Sequence, residues 1–173
     1  MTSAELLADA FSRVTDVVHE AVEGLDADRL NFRIAGRTNS IAWLVWHLTR
    51  VQDDHVADVA GTEQEWTAGG WVSRFDLSLP RMSTGYGHND ADVDAVKVDG
   101  PELLLGYYDA VAATTRRYVE GLVDVDLDRV VDERWDPPVT LGVRLISVIG
   151  DDLQHAGQAA YLRGALQSGV FSG

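Results

Sequence analysis

Residues 151–164 read Asp-Asp-Leu-Gln-His-Ala-Gly-Gln-Ala-Ala-Tyr-Leu-Arg-Gly, and this stretch predicts a helix with a polar pair on an apolar face. Asp151 and His155 are four residues apart, so their side chains lie on one face of a helix. Three further residues fall on the same stripe, whose spacing is typical of a core-facing surface: Val148, Gln158 and Leu162. A carboxylate and an imidazole in such a position need a partner, because an unpaired buried charge is very costly.

A second stretch offers that partner. Residues 40–48 read Ser-Ile-Ala-Trp-Leu-Val-Trp-His-Leu and are apolar nearly all round, which predicts a deeply buried helix. His47 in this setting should be hydrogen-bonded or bound to a metal. With Asp151 and His155 it forms a two-histidine, one-carboxylate set that suits Zn, Fe, Ni or Mn and leaves positions for water or substrate. Two simpler interpretations stay open: His47 as a hydrogen-bonded core residue, and Asp151–His155 as a helical ion pair.

Capping residues and periodicity predict four long helices. The first begins with the Thr2–Glu5 capping box and stops near Gly24. The second begins after Asn39 or Ser40 and runs towards Gly61. The last two are bounded by other signals: Pro101 starts the third, Thr140 caps the fourth, and Gly164 closes it.

The connections between these helices set the architecture. Residues 25–39 and 121–139 are predicted as loops, and residues 61–100 as a long crossover between the second and third helices, containing short helical turns and packing its aromatic residues on the bundle. The fold class expected is therefore all-α, a four-helix bundle with one long crossover, in a single domain over residues 1–173. The tryptophans are expected in the core.

Composition narrows the classes of function. The chain has a net charge of −14, which argues against binding nucleic acid or an anionic membrane surface. It contains no cysteine, so metal ligands must come from His, carboxylate or water, and a thiol in the chemistry must come from a small molecule. We find neither a signal peptide nor an apolar stretch of roughly 20 residues, and we expect a cytoplasmic protein.

Other residues are weaker candidates for the site. His88, on the crossover, is a candidate fourth ligand or proton carrier, and an ordinary loop histidine is the alternative. Asp54 follows His47 on its helix and could orient a ligand. His55 could line the pocket, and a surface histidine or one that orients a ligand is the alternative. Gln158 could reach substrate or water, and Arg163 could receive an anionic group, although packing and helix-end stabilisation explain them as well.

The two quoted stretches resemble the second and last helices of the DinB/YfiT-like superfamily, more narrowly the actinobacterial DinB-like proteins once grouped as a domain of unknown function. The His-x-Gly-Gln element at residues 155–158 and the paired His47 carry the resemblance. It implies a four-helix bundle with a metal held by His47, Asp151 and His155. Many members have His at the position of Asp151, and others have Glu.

The resemblance also implies a function. Relatives use mycothiol or bacillithiol, as in the mycothiol-dependent maleylpyruvate isomerase-like members, so we expect a metal-dependent thiol S-transferase or isomerase. Its partners would be a small-molecule thiol and an electrophilic substrate, and a homodimer is the assembly expected. Zn is the first expectation for the metal, with Ni, Fe or Mn as alternatives. A metal-dependent hydrolase and a non-catalytic, stress-related metal-binding protein are the rival functions.

Overall fold

Four long helices form the frame of the protein in a computed structural model that describes residues 1–169. They are α1 (Ser3–Val22), α3 (Ile41–Ala60), α7 (Pro101–Glu120) and α8 (Leu141–Gln167). The connections contain four short helices: α2 (Ala27–Leu30), α4 (Glu65–Ala68), α5 (Trp71–Phe75) and α6 (Asp90–Ala95). Two 3-10 turns, Ile34–Gly36 and Asp124–Asp128, and two short strands, β1 (Val130–Asp132) and β2 (Val139–Thr140), complete the described structure. The predicted all-α class is confirmed.

The helices begin where the capping residues predict. Thr2 and Glu5 form a reciprocal capping box at the start of α1. The Ser40 hydroxyl accepts a hydrogen bond from the Trp43 amide at 3.0 Å, so Ser40 rather than Asn39 is the cap of α3. Pro101 occupies the first turn of α7, and the Thr140 hydroxyl caps α8. Each cap satisfies amide groups that have no partner inside the helix.

Four expectations are wrong. The predicted loop 25–39 contains helix α2 and the 3-10 turn Ile34–Gly36, because the Asp26 side chain caps a short helical turn.

Helix α8 does not stop at Gly164 but continues to Gln167. Residues 165–167, Ala-Leu-Gln, are good helix formers, and the left-handed backbone that often follows a helix end occurs at Gly169 instead. The predicted loop 121–139 includes strand β1, which pairs antiparallel with β2. Trp135 lies on the loop between these strands and is 66% exposed, so it does not belong to the core.

The bundle buries α3 most deeply. Helix α3 packs against α7 and α8, and α1 packs against the same two helices. All thirteen residues from 41 to 53 are buried, as the apolar sequence of this helix predicts. Within residues 1–169, no helix is both long enough and apolar enough to cross a membrane.

The crossover 61–100 covers one side of the bundle. Its short helices α4, α5 and α6 place Trp66, Phe75 and Val93 in the main core cluster. Trp66 lies near Tyr107 of α7, with ring centroids 5.3 Å apart. The crossover is therefore packed on the bundle by its aromatic side chains, as predicted.

A buried polar network joins the crossover to α3 and α7. Asp53 is 4% exposed, and its carboxylate accepts hydrogen bonds from the amides of Glu65 and Trp66, both at 2.8 Å, and from the Tyr107 hydroxyl at 2.7 Å. Arg50, which is fully buried, lies 3.4 Å from the same carboxylate. Asp53 thus caps α4 and balances a buried guanidinium.

We expect Asp53→Ala to lower the free energy of unfolding by about 3–5 kcal/mol, because it leaves the Arg50 charge buried without its carboxylate. Urea denaturation followed by circular dichroism measures this difference. The matched control is Asp54→Ala, which removes a neighbouring carboxylate that accepts one hydrogen bond from Gln64 and should cost less than about 1 kcal/mol. Equal losses in the two variants would contradict the assignment.

Candidate metal centre

Three potential metal ligands meet between α3 and α8. His47, Asp151 and His155 each offer a ligand atom, and these atoms all lie within 4.8 Å of one another. The ring centroids of the two histidines are 4.8 Å apart, and Nε2 of His155 lies 3.6 Å from Oδ1 of Asp151. The structure therefore brings together all three of the predicted ligands, one from α3 and two from successive turns of α8.

A hydrogen bond at Nδ1 fixes the tautomer of His47. Nδ1 of His47 contacts the Thr84 carbonyl oxygen, and a carbonyl can only accept, so this nitrogen carries the proton. The ring keeps Nε2 free as a metal donor, the arrangement that metal-binding histidines use. Nδ1 of His155 lies 3.2 Å from Oε1 of Gln158, while its Nε2 faces Asp151.

Burial favours the form of His47 that can bind a metal. Burial lowers the pKa of His47 below its ordinary value, the Thr84 hydrogen bond opposes this effect, and the nearby His155 adds to it. A lowered pKa keeps the imidazole neutral at neutral pH, which ligation requires.

Asp151 offers a carboxylate oxygen that lacks a hydrogen-bond partner within the described residues. This oxygen, Oδ2, is buried, and burial without a partner is a costly state for a carboxylate oxygen. Two imidazole nitrogens and one carboxylate oxygen suit a divalent ion such as Zn, with coordination positions left over. The residues present therefore fit the metal that the sequence predicts.

The outer side of the centre is formed by the crossover. Three side chains on one face of α3 form hydrogen bonds to residues 83–88 of the crossover: Trp43, His47 and Arg50. Trp43 donates from Nε1 to His88 at 3.1 Å, and Arg50 donates from Nε to the Ser83 carbonyl at 3.1 Å. The same helix face thus carries a metal ligand and holds the loop beside it.

Gly85 allows the loop to approach His47 closely. Its φ is +101°, and a Cβ at this position would clash with Nδ1 of His47 and lie 3.1 Å from the Trp43 ring. Both the left-handed backbone and the contact exclude a side chain here. Glycine is therefore required for the Thr84 carbonyl to reach the histidine.

His88 is held in the loop by both of its ring nitrogens. Nδ1 accepts from Trp43, so Nε2 carries the proton and donates to the Ser83 hydroxyl at 2.8 Å. Burial lowers the pKa of His88, and its ring stacks on Trp46 with centroids 5.8 Å apart. His88 is not part of the three-residue cluster, and its predicted catalytic role stays a prediction.

Asp54 and His55 lie at a separate polar cavity of about 410 Å³ on the surface of the bundle. Nδ1 of His55 accepts a hydrogen bond from Arg144 at 2.7 Å, and Asp54 accepts one from Gln64 at 2.7 Å. Burial, followed by the Arg144 charge, lowers the pKa of His55. The structure does not bring these two residues into the metal cluster.

Gln158 and Arg163, the remaining candidates, occupy different positions on α8. Gln158 lies against His155 through the contact described above. Arg163 donates to the backbone carbonyl of Glu23 at 2.7 Å, at the C-terminal end of α1, so it ties two helices together.

Sequence reasoning missed the loop contacts of the centre. Thr84 acts through a backbone carbonyl, which any residue could supply, so its side chain carries no signal. The one available signal is the pair Gly85 and Gly87 on either side of Tyr86, which indicates an unusual backbone.

The fold and this site define a DinB-like helical bundle with a candidate metal centre. The family model described as mycothiol S-transferase matches residues 6–168, and the chain therefore belongs to the mycothiol S-transferase family. The resemblance to DinB/YfiT-like proteins is confirmed.

A solved structure is similar over almost the whole chain. It is a crystal structure of a conserved protein from Enterococcus faecalis, with 30% identity, a TM-score of 0.88, and coverage of 94% of this chain and 96% of that one. A search of curated proteins found no match.

We expect Gly85→Ala to weaken Zn²⁺ binding by about 10–100-fold, because the new methyl group displaces the loop carbonyl that orients His47. Competition with a chromophoric chelator measures the affinity. Gly87→Ala is the matched control, since Gly87 also has a positive φ of +70° but its Cβ would meet nothing within 4 Å. The same loss of affinity in both variants would assign the effect to backbone strain instead.

Proposed function

We propose that this protein is a metal-dependent S-transferase that joins a low-molecular-weight thiol of the mycothiol type to an electrophile. The observation that carries the proposal is the cluster of His47, Asp151 and His155, with donor atoms within 4.8 Å, in a chain that belongs to the mycothiol S-transferase family. The absence of cysteine from the sequence is compatible with a thiol that arrives as a cosubstrate.

The protein's own residues would hold the metal and orient its ligands. His47 and His155 supply neutral nitrogen donors, and Asp151 supplies a negative charge that partly balances a divalent ion. The Thr84 carbonyl keeps the His47 ring in the required tautomer, and Gln158 contacts Nδ1 of His155. A bound divalent ion would supply Lewis acidity, which lowers the pKa of a thiol and favours the thiolate. Zn is our first assignment, with Ni, Fe or Mn as alternatives.

The proposed transfer is a substitution at the electrophilic carbon. The thiol gives up its proton, its sulfur forms a bond to the electrophilic carbon, and the leaving group departs with the electron pair of the broken bond. Gln158 and His88 lie close to this centre and are the side chains that we assign to substrate contact and proton handling, respectively. Because Nε2 of His88 already carries a proton, His88 can accept the thiol proton only if Nδ1 is released from the Trp43 hydrogen bond.

Metal analysis tests the first half of the proposal. Protein purified without chelators should contain about one divalent ion per chain, as measured by inductively coupled plasma mass spectrometry. The His155→Ala variant should take up no metal, because the two remaining donors do not complete the site. His55→Ala is the control, since His55 lies at the separate cavity and should leave the stoichiometry unchanged. Metal-free wild type, or equal loss in both variants, would refute the assignment.

A conjugation assay tests the second half. Wild-type protein with mycothiol and a chloroacetamide should form the thioether well above the uncatalysed rate, and removal of the metal with a chelator should reduce formation to that rate. Liquid chromatography with mass spectrometry measures the product. Thiol-independent cleavage of ester or amide substrates, with no conjugation, would favour the metal-dependent hydrolase. Bound metal with neither activity would favour the non-catalytic binding protein.

A further inference from the structure

We propose that a groove beside the metal centre binds the neutral, apolar part of the electrophilic substrate. The groove has a volume of about 550 Å³ and lies between the first turn of α3, the second half of α8 and the loop before α3. The inference rests on the proposed transferase function for its catalytic consequence, whereas the binding itself can be tested without a thiol.

The lining of the groove selects a neutral ligand. Its apolar lining residues are Ile34, Leu44, Leu162 and Tyr161, of which Leu44 and Leu162 are almost fully buried and Tyr161 is exposed. None of the groove residues is charged, although the chain has 14 basic and 28 acidic residues. A ligand with a charged group would lose its hydration here without gaining a partner. The volume suits a small molecule with an aromatic or aliphatic body.

The groove begins next to the metal ligands. Gln158, which lines it, lies 3.2 Å from Nδ1 of His155. On the other helix, Leu44 precedes His47 by three residues, and one helical turn rises about 5.4 Å. A substrate lying in the groove therefore has one end within about a turn of both histidines, where its reactive carbon can meet a nucleophile.

The outer wall of the groove is held in place by Arg33. This side chain is 5% exposed and pairs with Asp90 at 2.7 Å and Asp94 at 2.6 Å, both on or at the start of α6. Its Nε donates to the Thr38 carbonyl at 2.6 Å, and the Thr38 hydroxyl accepts from the Ile34 amide at 2.8 Å. The wall is thus formed before a ligand binds, which reduces the entropy cost of binding.

Gly157 provides a way to fill the groove without disturbing the helix. It lines the groove, and a Cβ at this position would meet nothing within 4 Å. Gly164 lies on the same helix outside the groove and also has nothing within 4 Å. Leucine is a better helix former than glycine at both positions, so Gly157→Leu fills the groove and Gly164→Leu is its matched control.

The first experiment compares two electrophiles that share a reacting carbon and a leaving group: chloroacetamide and N-benzylchloroacetamide. In both reactions mycothiol gives its proton to water, its sulfur bonds to the methylene carbon, and chloride leaves with the electron pair of the broken carbon–chlorine bond. We expect wild type and Gly164→Leu to show a kcat/KM about tenfold or more higher for the benzyl compound, and Gly157→Leu to lose this preference. A preference that survives in Gly157→Leu would overturn the proposal.

The second experiment measures binding of N-benzylacetamide, which cannot react, by NMR chemical-shift perturbation without thiol. Binding to wild type and Gly164→Leu, but not to Gly157→Leu, supports the groove even if no thiol transfer is found, so the two proposals can fail separately. Equal binding to all three proteins, or no binding to wild type, overturns it. A dimer by light scattering that only Gly157→Leu disrupts would show that a second copy of the chain occupies the groove, which also overturns it.

Discussion

The contact between Nδ1 of His47 and the Thr84 carbonyl links the helical bundle to the crossover 61–100 that packs on it. It is made by the most deeply buried helix and by the longest connection in the chain, and it uses one nitrogen of a ring whose other nitrogen is a candidate metal donor. The position of the loop and the orientation of the His47 ring therefore depend on each other, since the ring cannot rotate without losing its hydrogen bond to the Thr84 carbonyl. Gly85 makes the approach sterically possible.

The polar network beneath this contact explains why the loop can be held so close. Arg50 follows His47 by three residues and binds the Ser83 carbonyl, while its charge is balanced by Asp53 under the start of α4. Burying these groups is costly unless each has a partner. The partners of Arg50 and Asp53 come from α3, α4, α7 and the loop, so most of these hydrogen bonds form only when the crossover is in place. This requirement specifies one position for an otherwise irregular segment.

The helices and the shared face of Asp151 and His155 could be predicted from the sequence because their causes are local, whereas the pairing with His47 rested mainly on the family resemblance. Capping residues such as Thr2 and Ser40 act on amides within one turn, and the four-residue spacing of Asp151 and His155 places them on one face regardless of the rest of the fold. The contacts of the crossover could not be predicted, because Thr84 acts through its backbone and its partner is 37 residues away. Strands β1 and β2 are too short to show a pattern and depend on each other for pairing.

Two neighbouring carboxyl groups on α8 show how burial separates their roles. Asp151 turns towards the histidines, whereas Asp152 is fully buried and, within residues 1–169, neither of its oxygens has a hydrogen-bond partner. Burial raises the pKa of Asp152 well above its ordinary value, and the Asp151 charge raises it further. The raised pKa favours the neutral form of Asp152 in the core. Asp151 instead offers a carboxylate oxygen to the cluster with His47 and His155.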